Sequence, residues 1–99
     1  ELYFGYKDIK RERKIAKEFL NSAISNYTKA IEFAPSQEEA EKFEIDRDFD
    51  MILPSELYYR RGNAYSWLSN KWVSACKDWK AAKKLGNNDA KKWLRKVKC

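Results

Sequence analysis

Two rows of the chain alternate bulky and small side chains at the spacing of one helix face, and they lie 52 residues apart in register. Leu20, Ala23, Tyr27, Ala30 and Phe33 form the first row, and Trp72, Ala75, Trp79, Ala82 and Leu85 the second. Steps of three and four keep side chains on one side of an α-helix. Alternating large and small residues along that side is what two closely packed helices need, rings of one filling the space above alanines of the other. Gly62 sharpens the constraint. It stands in "GNAYSWLSNKW" with rings around it, although glycine in a helix interior costs roughly 1 kcal/mol against alanine. A second helix lying too close to Gly62 for any larger side chain accounts for that cost.

The elements follow from the same periodicity. From Ile15 to Ala34 the residues Ala16, Leu20, Ala23, Tyr27, Ala30 and Ala34 predict one buried face, and Pro35 closes the block. Ser55 is the expected N-cap of a second block that carries Leu57, Tyr58, Gly62, Tyr65 and Leu68, then Trp72, Ala75, Trp79, Ala82 and Leu85. "GNN" at 86–88 should end it, and a short last helix from Asp89 presents Ala90, Trp93, Leu94 and Val97. Three glycines and two prolines in 99 residues favour a few long helices in one domain, and 15% aromatic content supplies enough burial to hold it.

The segment between the blocks is different in character. "SQEEAEKFEIDRDFDMILP" opens with a capping box, Ser36 and Glu39, so a helical turn or two is expected there. Beyond it Phe43, Ile45, Phe49 and Met51 alternate with acids, a period of two that predicts an ordered extended segment. "DRDFDM" at 46–51 starts like a calcium loop, but Met51 replaces the required glycine and Leu57 the terminal glutamate, which leaves an acidic solvated loop.

Charge is segregated along the chain: net +3 over residues 1–31, −7 over 32–56 and +10 over 57–99. Opposed surface potentials of this kind attract a charged partner, here an acidic one for the basic half. The basic half with its rings Trp72, Trp79 and Trp93 raises nucleic-acid binding as the rival reading. It ranks second, because those rings occupy core positions and are withdrawn from stacking.

Catalysis has little to work with. The chain has no histidine, which removes histidine-activated nucleophiles and histidine-bound metals, and its glycines are too few for a phosphate loop. No enzyme activity, cofactor or metal is expected. No apolar run approaches the ~20 residues of a membrane span and no secretion signal is evident, so a soluble cytoplasmic protein is the expectation. The chain starts at Glu1 rather than methionine, so an upstream piece is expected to have been lost, and "ELYFG" resembles a protease-tag remnant. Cys76 and Cys99 lie ten residues before and thirteen after Gly86, at comparable heights of an antiparallel pair. Both outcomes stand open: a disulfide fastening the last helix, or two thiols, one a small core residue.

Taken together, these residues resemble the tetratricopeptide-repeat (TPR) family. Tyr58, Gly62 and Tyr65 match the first helix of its helix-turn-helix unit, and Ala75 and Trp79 the second. Ala23, Tyr27, Ala30 and Pro35 match a preceding second helix and its terminator. The stretch from Tyr58 to Ala90 is similar to the last repeat of bacterial, notably cyanobacterial, TPR proteins. Arg61 departs from the pattern where leucine is usual, as does Asn87 where proline is usual. The resemblance implies an all-α fold of about two helical hairpins: a first repeat at 7–34, an acidic insertion at 35–54, a second repeat at 55–88 and a capping helix at 89–99. The opening helix of the first repeat, "YKDIKRERKIAKEF", has no glycine or tyrosine at the matching spacing, so either it is a longer, atypical capping helix or residues 7–34 run on with little break.

The same resemblance implies a non-catalytic module that binds a protein or peptide, an acidic one among the candidates, in a groove. Its groove-facing residues would be Glu56, Tyr59, Asn63, Ser66 and Trp67, with Arg60 at the edge. Tyr59 and Trp67 would act as apolar anchors and Asn63 as a reader of backbone amides. Tyr59 replaces the first lysine of the family's carboxylate clamp, which argues against binding a chaperone tail. Two repeats bury little on their own, so a homodimer, or a longer chain with further repeats upstream, is expected.

Overall fold

A computed structural model describes residues 6–47 and 53–99, with side-chain surroundings for 14–42 and 53–99. Its helices are α1 (Tyr6–Phe33), α2 (Gln37–Arg47), α3 (Pro54–Ser66), α4 (Trp72–Lys84) and α5 (Asn88–Leu94), and no strand occurs among the described residues. The fold is therefore all-α. No helix among the described residues is long and apolar enough to cross a membrane.

α1 runs for 28 residues without a break, so Tyr6–Phe33 is one helix and not a hairpin. It contains no glycine or proline and ends two residues before Pro35, whose ring disfavours helical backbone in the residue ahead of it. The face it buries is shifted from the expected one. Ile24 is buried and Leu20, Tyr27 and Ile31 are half-buried, whereas Ala16, Ala30 and Phe33 are exposed. α1 packs mainly on α3, so it needs only a narrow seam of larger side chains; α4 lies between α3 and α5 and buries Ala75, Trp79 and Ala82 fully, with Leu85 half-buried and Trp72 partly exposed.

Two local corrections concern the acidic segment and the start of α3. Ser36 Oγ accepts the Glu39 N–H at 3.2 Å, as a capping residue does, and the helix it starts continues to Arg47. Phe43 and Ile45 thus lie in a helix and not in an extended segment. Glu38 and Glu39 in the first turn complement the helix dipole, a term that period counting ignores. Phe49, Met51 and most of 46–51 fall outside the described residues. The N-cap of α3 is Leu53, not Ser55, because Pro54 suits the first helical position: its φ is preset and the N–H it lacks would have gone unused. The orphaned Ser55 N–H is taken up by Gln37 Oε1 of α2 at 2.9 Å.

The centre of the molecule is the α3–α4 contact. Trp79 is fully buried and its indole edge lies against Gly62: a Cβ there would sit 2.7 Å from Trp79 Cδ1, 2.8 Å from Nε1 and 3.2 Å from the Ala75 carbonyl oxygen. Trp72 and Trp93 meet the same ring edge to face, with centroids 5.4 and 5.9 Å away, the arrangement that the ring quadrupole favours. Ala75 and Ala82 are fully buried beside it.

Past α4 the chain turns back at Gly86 (φ +100°). The Gly86 N–H donates to Lys83 O and the Asn87 N–H to Ala82 O, both at 2.9 Å. These two bonds are the Schellman closure, and they satisfy carbonyls that the helix end leaves open. Asn87 then caps α5, its Oδ1 accepting the Ala90 N–H at 2.8 Å.

The cysteines are joined: Cys76 and Cys99 form a disulfide, 23 residues apart in sequence and with Cα atoms 5.7 Å apart. The bond closes a loop through the whole of α5, which in the chain-entropy account is worth about 3 kcal/mol. Cys99→Ser should lower the urea midpoint accordingly, and dithiothreitol should lower that of the parent but leave the variant unchanged. Equal midpoints for parent and variant without reductant would remove the disulfide from the description.

Candidate functional site: a groove between α1 and the α3–α4 turn

α1 and α3 run antiparallel, with Thr28 of α1 beside Arg61 and Leu20 near Leu68. α1 is more than twice as long as α3, so its first half overhangs the end of α3. Beneath the overhang, residues 67–71 form a tight turn, held by Leu68 N–H to Tyr65 O at 3.0 Å and Lys71 N–H to Leu68 O at 3.2 Å. Between overhang and turn lies an open groove of about 1040 Å³. Ile15, Phe19 and Leu20 line one wall; Trp67 and Leu68 line the other. Phe19 is 74% and Trp67 79% exposed, so two large rings stand in water at opposite sides of one recess. Among the described residues Lys17 is its only charged lining residue.

Of the residues expected to face a partner, Trp67 alone lies in this groove. Tyr59 is half-buried against Ala75, Cys76 and Trp79. Asn63 Oδ1 accepts the Trp79 indole N–H at 3.0 Å, and Ser66 Oγ donates to the Asn63 carbonyl at 2.6 Å. Arg60 is exposed and its Nε donates to Glu56 Oε1 at 3.0 Å, while Glu56 Oε2 accepts from Asn87 Nδ2 at 3.1 Å. Glu56, Arg60, Asn63 and Ser66 each make at least one hydrogen bond within the molecule. Ile15 and Phe19 lie outside the expected groove-facing set. Their signal was an apolar pair four residues apart, off the row expected to be buried.

Behind the groove, Arg61 ties three helices. Its Nε and Nη2 donate to the two carboxylate oxygens of Asp78 at 2.7 Å each, and its Nη1 donates to Thr28 Oγ1 at 3.2 Å. Tyr58 and Tyr65 flank the guanidinium, at 5.5 and 5.9 Å from their ring centres. The Asp78 hydrogen bonds raise the Arg61 pKa above its ordinary value while burial opposes them. The bidentate pair satisfies the charge that Arg61 brings between the helices.

Comparison with protein-family models, curated proteins and solved structures finds no match. The described lining offers two rings, aliphatic carbons and one ammonium. Among the described residues no three His, Cys, Asp or Glu side chains come together as a metal site would need.

Proposed function

We propose that the chain is a non-catalytic protein-interaction module, a TPR-like hairpin of α3 and α4 capped by α5, that binds an acidic amphipathic helix of a partner in the α1 groove. The observation that carries this reading is the pairing of exposed Phe19 and Trp67 across one recess, since contiguous exposed apolar surface on a small domain marks an interaction site. Charge selects the partner. Lys17 lines the groove, exposed Lys14 and Lys71 stand next to its lining residues in sequence against one exposed carboxylate so placed, Glu18, and among the described residues no carboxylate lines it. The contact between Gly62 and Trp79, together with the closure at Gly86, supports the repeat-like hairpin.

The test uses a labelled helical peptide with leucines along one face and glutamates on the other, beside a lysine version of it. The glutamate peptide should bind with a change in Trp67 fluorescence, and the lysine version at least about tenfold more weakly. Phe19→Asp removes an apolar anchor worth about 2 kcal/mol, a loss of roughly 30-fold, and leaves the fold intact because Phe19 is exposed. Equal binding of the two peptides, or no loss in Phe19→Asp, overturns the proposal. So does sedimentation that finds a dimer abolished by Phe19→Asp, since the groove would then be filled by a second copy.

A further inference from the structure

We propose that the outer face of α4 and α5 binds single-stranded nucleic acid, at a surface separate from the groove and independent of the reading given to it. Residues 71–99 carry ten Lys and Arg side chains, all exposed, against two carboxylates, Asp78 and Asp89. Asp78 is turned inward and neutralised by Arg61, so the fold removes half of that negative charge from the surface. Lys77, Lys80 and Lys84 recur at steps of three and four along α4, opposite the buried Ala75, Cys76, Trp79 and Ala82, and form one cationic stripe. Among the described residues none of these three makes an ion pair.

The rings decide between polyanions. Only Trp79 is withdrawn from water; Trp72 remains 41% and Trp93 38% exposed although both rest on Trp79. The Trp72 indole N–H donates to the Lys98 carbonyl at 3.0 Å, which holds the basic end of the chain beside the exposed rings. Exposed Lys92 precedes Trp93 in the chain and the Lys98 backbone meets Trp72, so cations of α5 and of the segment after it stand near the partly exposed indoles, and the α4 stripe adds a phosphate track; together they suit unpaired bases linked by phosphates. An acidic peptide uses the cations but not the rings. A duplex keeps its bases stacked away from them.

The experiment measures anisotropy of a labelled homopyrimidine strand of about 20 nucleotides, and quenching of intrinsic tryptophan fluorescence, at about 150 mM salt. Binding should be accompanied by quenching, and its logarithm should fall linearly with the logarithm of salt concentration. The triple variant Lys77→Glu, Lys80→Glu, Lys84→Glu, whose sites are all on the surface, should bind at least about tenfold more weakly with a shallower salt slope. Trp93→Leu, with unchanged helical circular dichroism, should lose most of the quenching and bind several-fold more weakly. The proposal is overturned by absence of binding at that salt, by a duplex binding as well as the single strand, or by polyglutamate competing at equal charge. Binding to which Trp93→Leu is indifferent also overturns it, leaving only nonspecific charge.

Discussion

Gly62→Val should destabilise the protein by about 3–4 kcal/mol, beyond the roughly 1–3 kcal/mol usual for an overfilled core. The added carbons would enter space already held by Trp79 and by the backbone of Ala75, 2.7 to 3.2 Å from the first of them. Relief by motion of Trp79 is blocked: the indole is fully buried, braced by two other tryptophans and hydrogen-bonded to Asn63. A domain of this size has a total stability on the order of 5–15 kcal/mol, so a large unfolded fraction is expected. Gly62→Ala is the sharper comparison. Alanine gains about 1 kcal/mol of helix propensity, and the variant should still lose about 1–2 kcal/mol net. Urea unfolding followed by circular dichroism reads both, and an alanine variant more stable than the parent would mean that α3 and α4 stand farther apart than described.

The second large effect is expected at the Arg61–Asp78 pair. Asp78→Ala strands a mostly buried guanidinium with only Thr28 Oγ1 and two tyrosine faces for company, and should cost about 3–5 kcal/mol. The double variant Arg61→Leu, Asp78→Leu should be far milder, because removing both charges leaves no buried charge unpaired. A double-mutant cycle in urea separates the two cases, and additive losses would show that the pair is not coupled. A cation whose pKa rises on folding stabilises the fold at every pH below its unfolded value. The Arg61 contribution is therefore full and constant through neutral pH and is lost only in strong alkali.

Helix boundaries show how far local signals reach. The stop at Gly86 was legible because a positive φ and a change of chain direction need glycine at that place, whichever helix follows. The start of α3 lies two residues before the expected one: both Pro54 and Ser55 favour a helix beginning, Pro54 takes the first helical position, and the Ser55 N–H left free is satisfied by Gln37, 18 positions away. The acidic segment was misread because its alternation of acids and apolar residues is also compatible with a helix once capped at Ser36.

The chain by itself determined that it would be helical and that something large would press on Gly62, since repeat spacing and the lack of a side chain are properties of consecutive residues. Which ring pressed there, and from which helix, was decided by packing. Tertiary structure alone turned Asn63 and Ser66 inward, joined Cys76 to Cys99, paired Arg61 with Asp78 and set Phe19 across from Trp67. The physical reason is distance along the chain: such contacts depend on how whole helices are rotated and offset against one another, and that is settled by the summed burial of all of them.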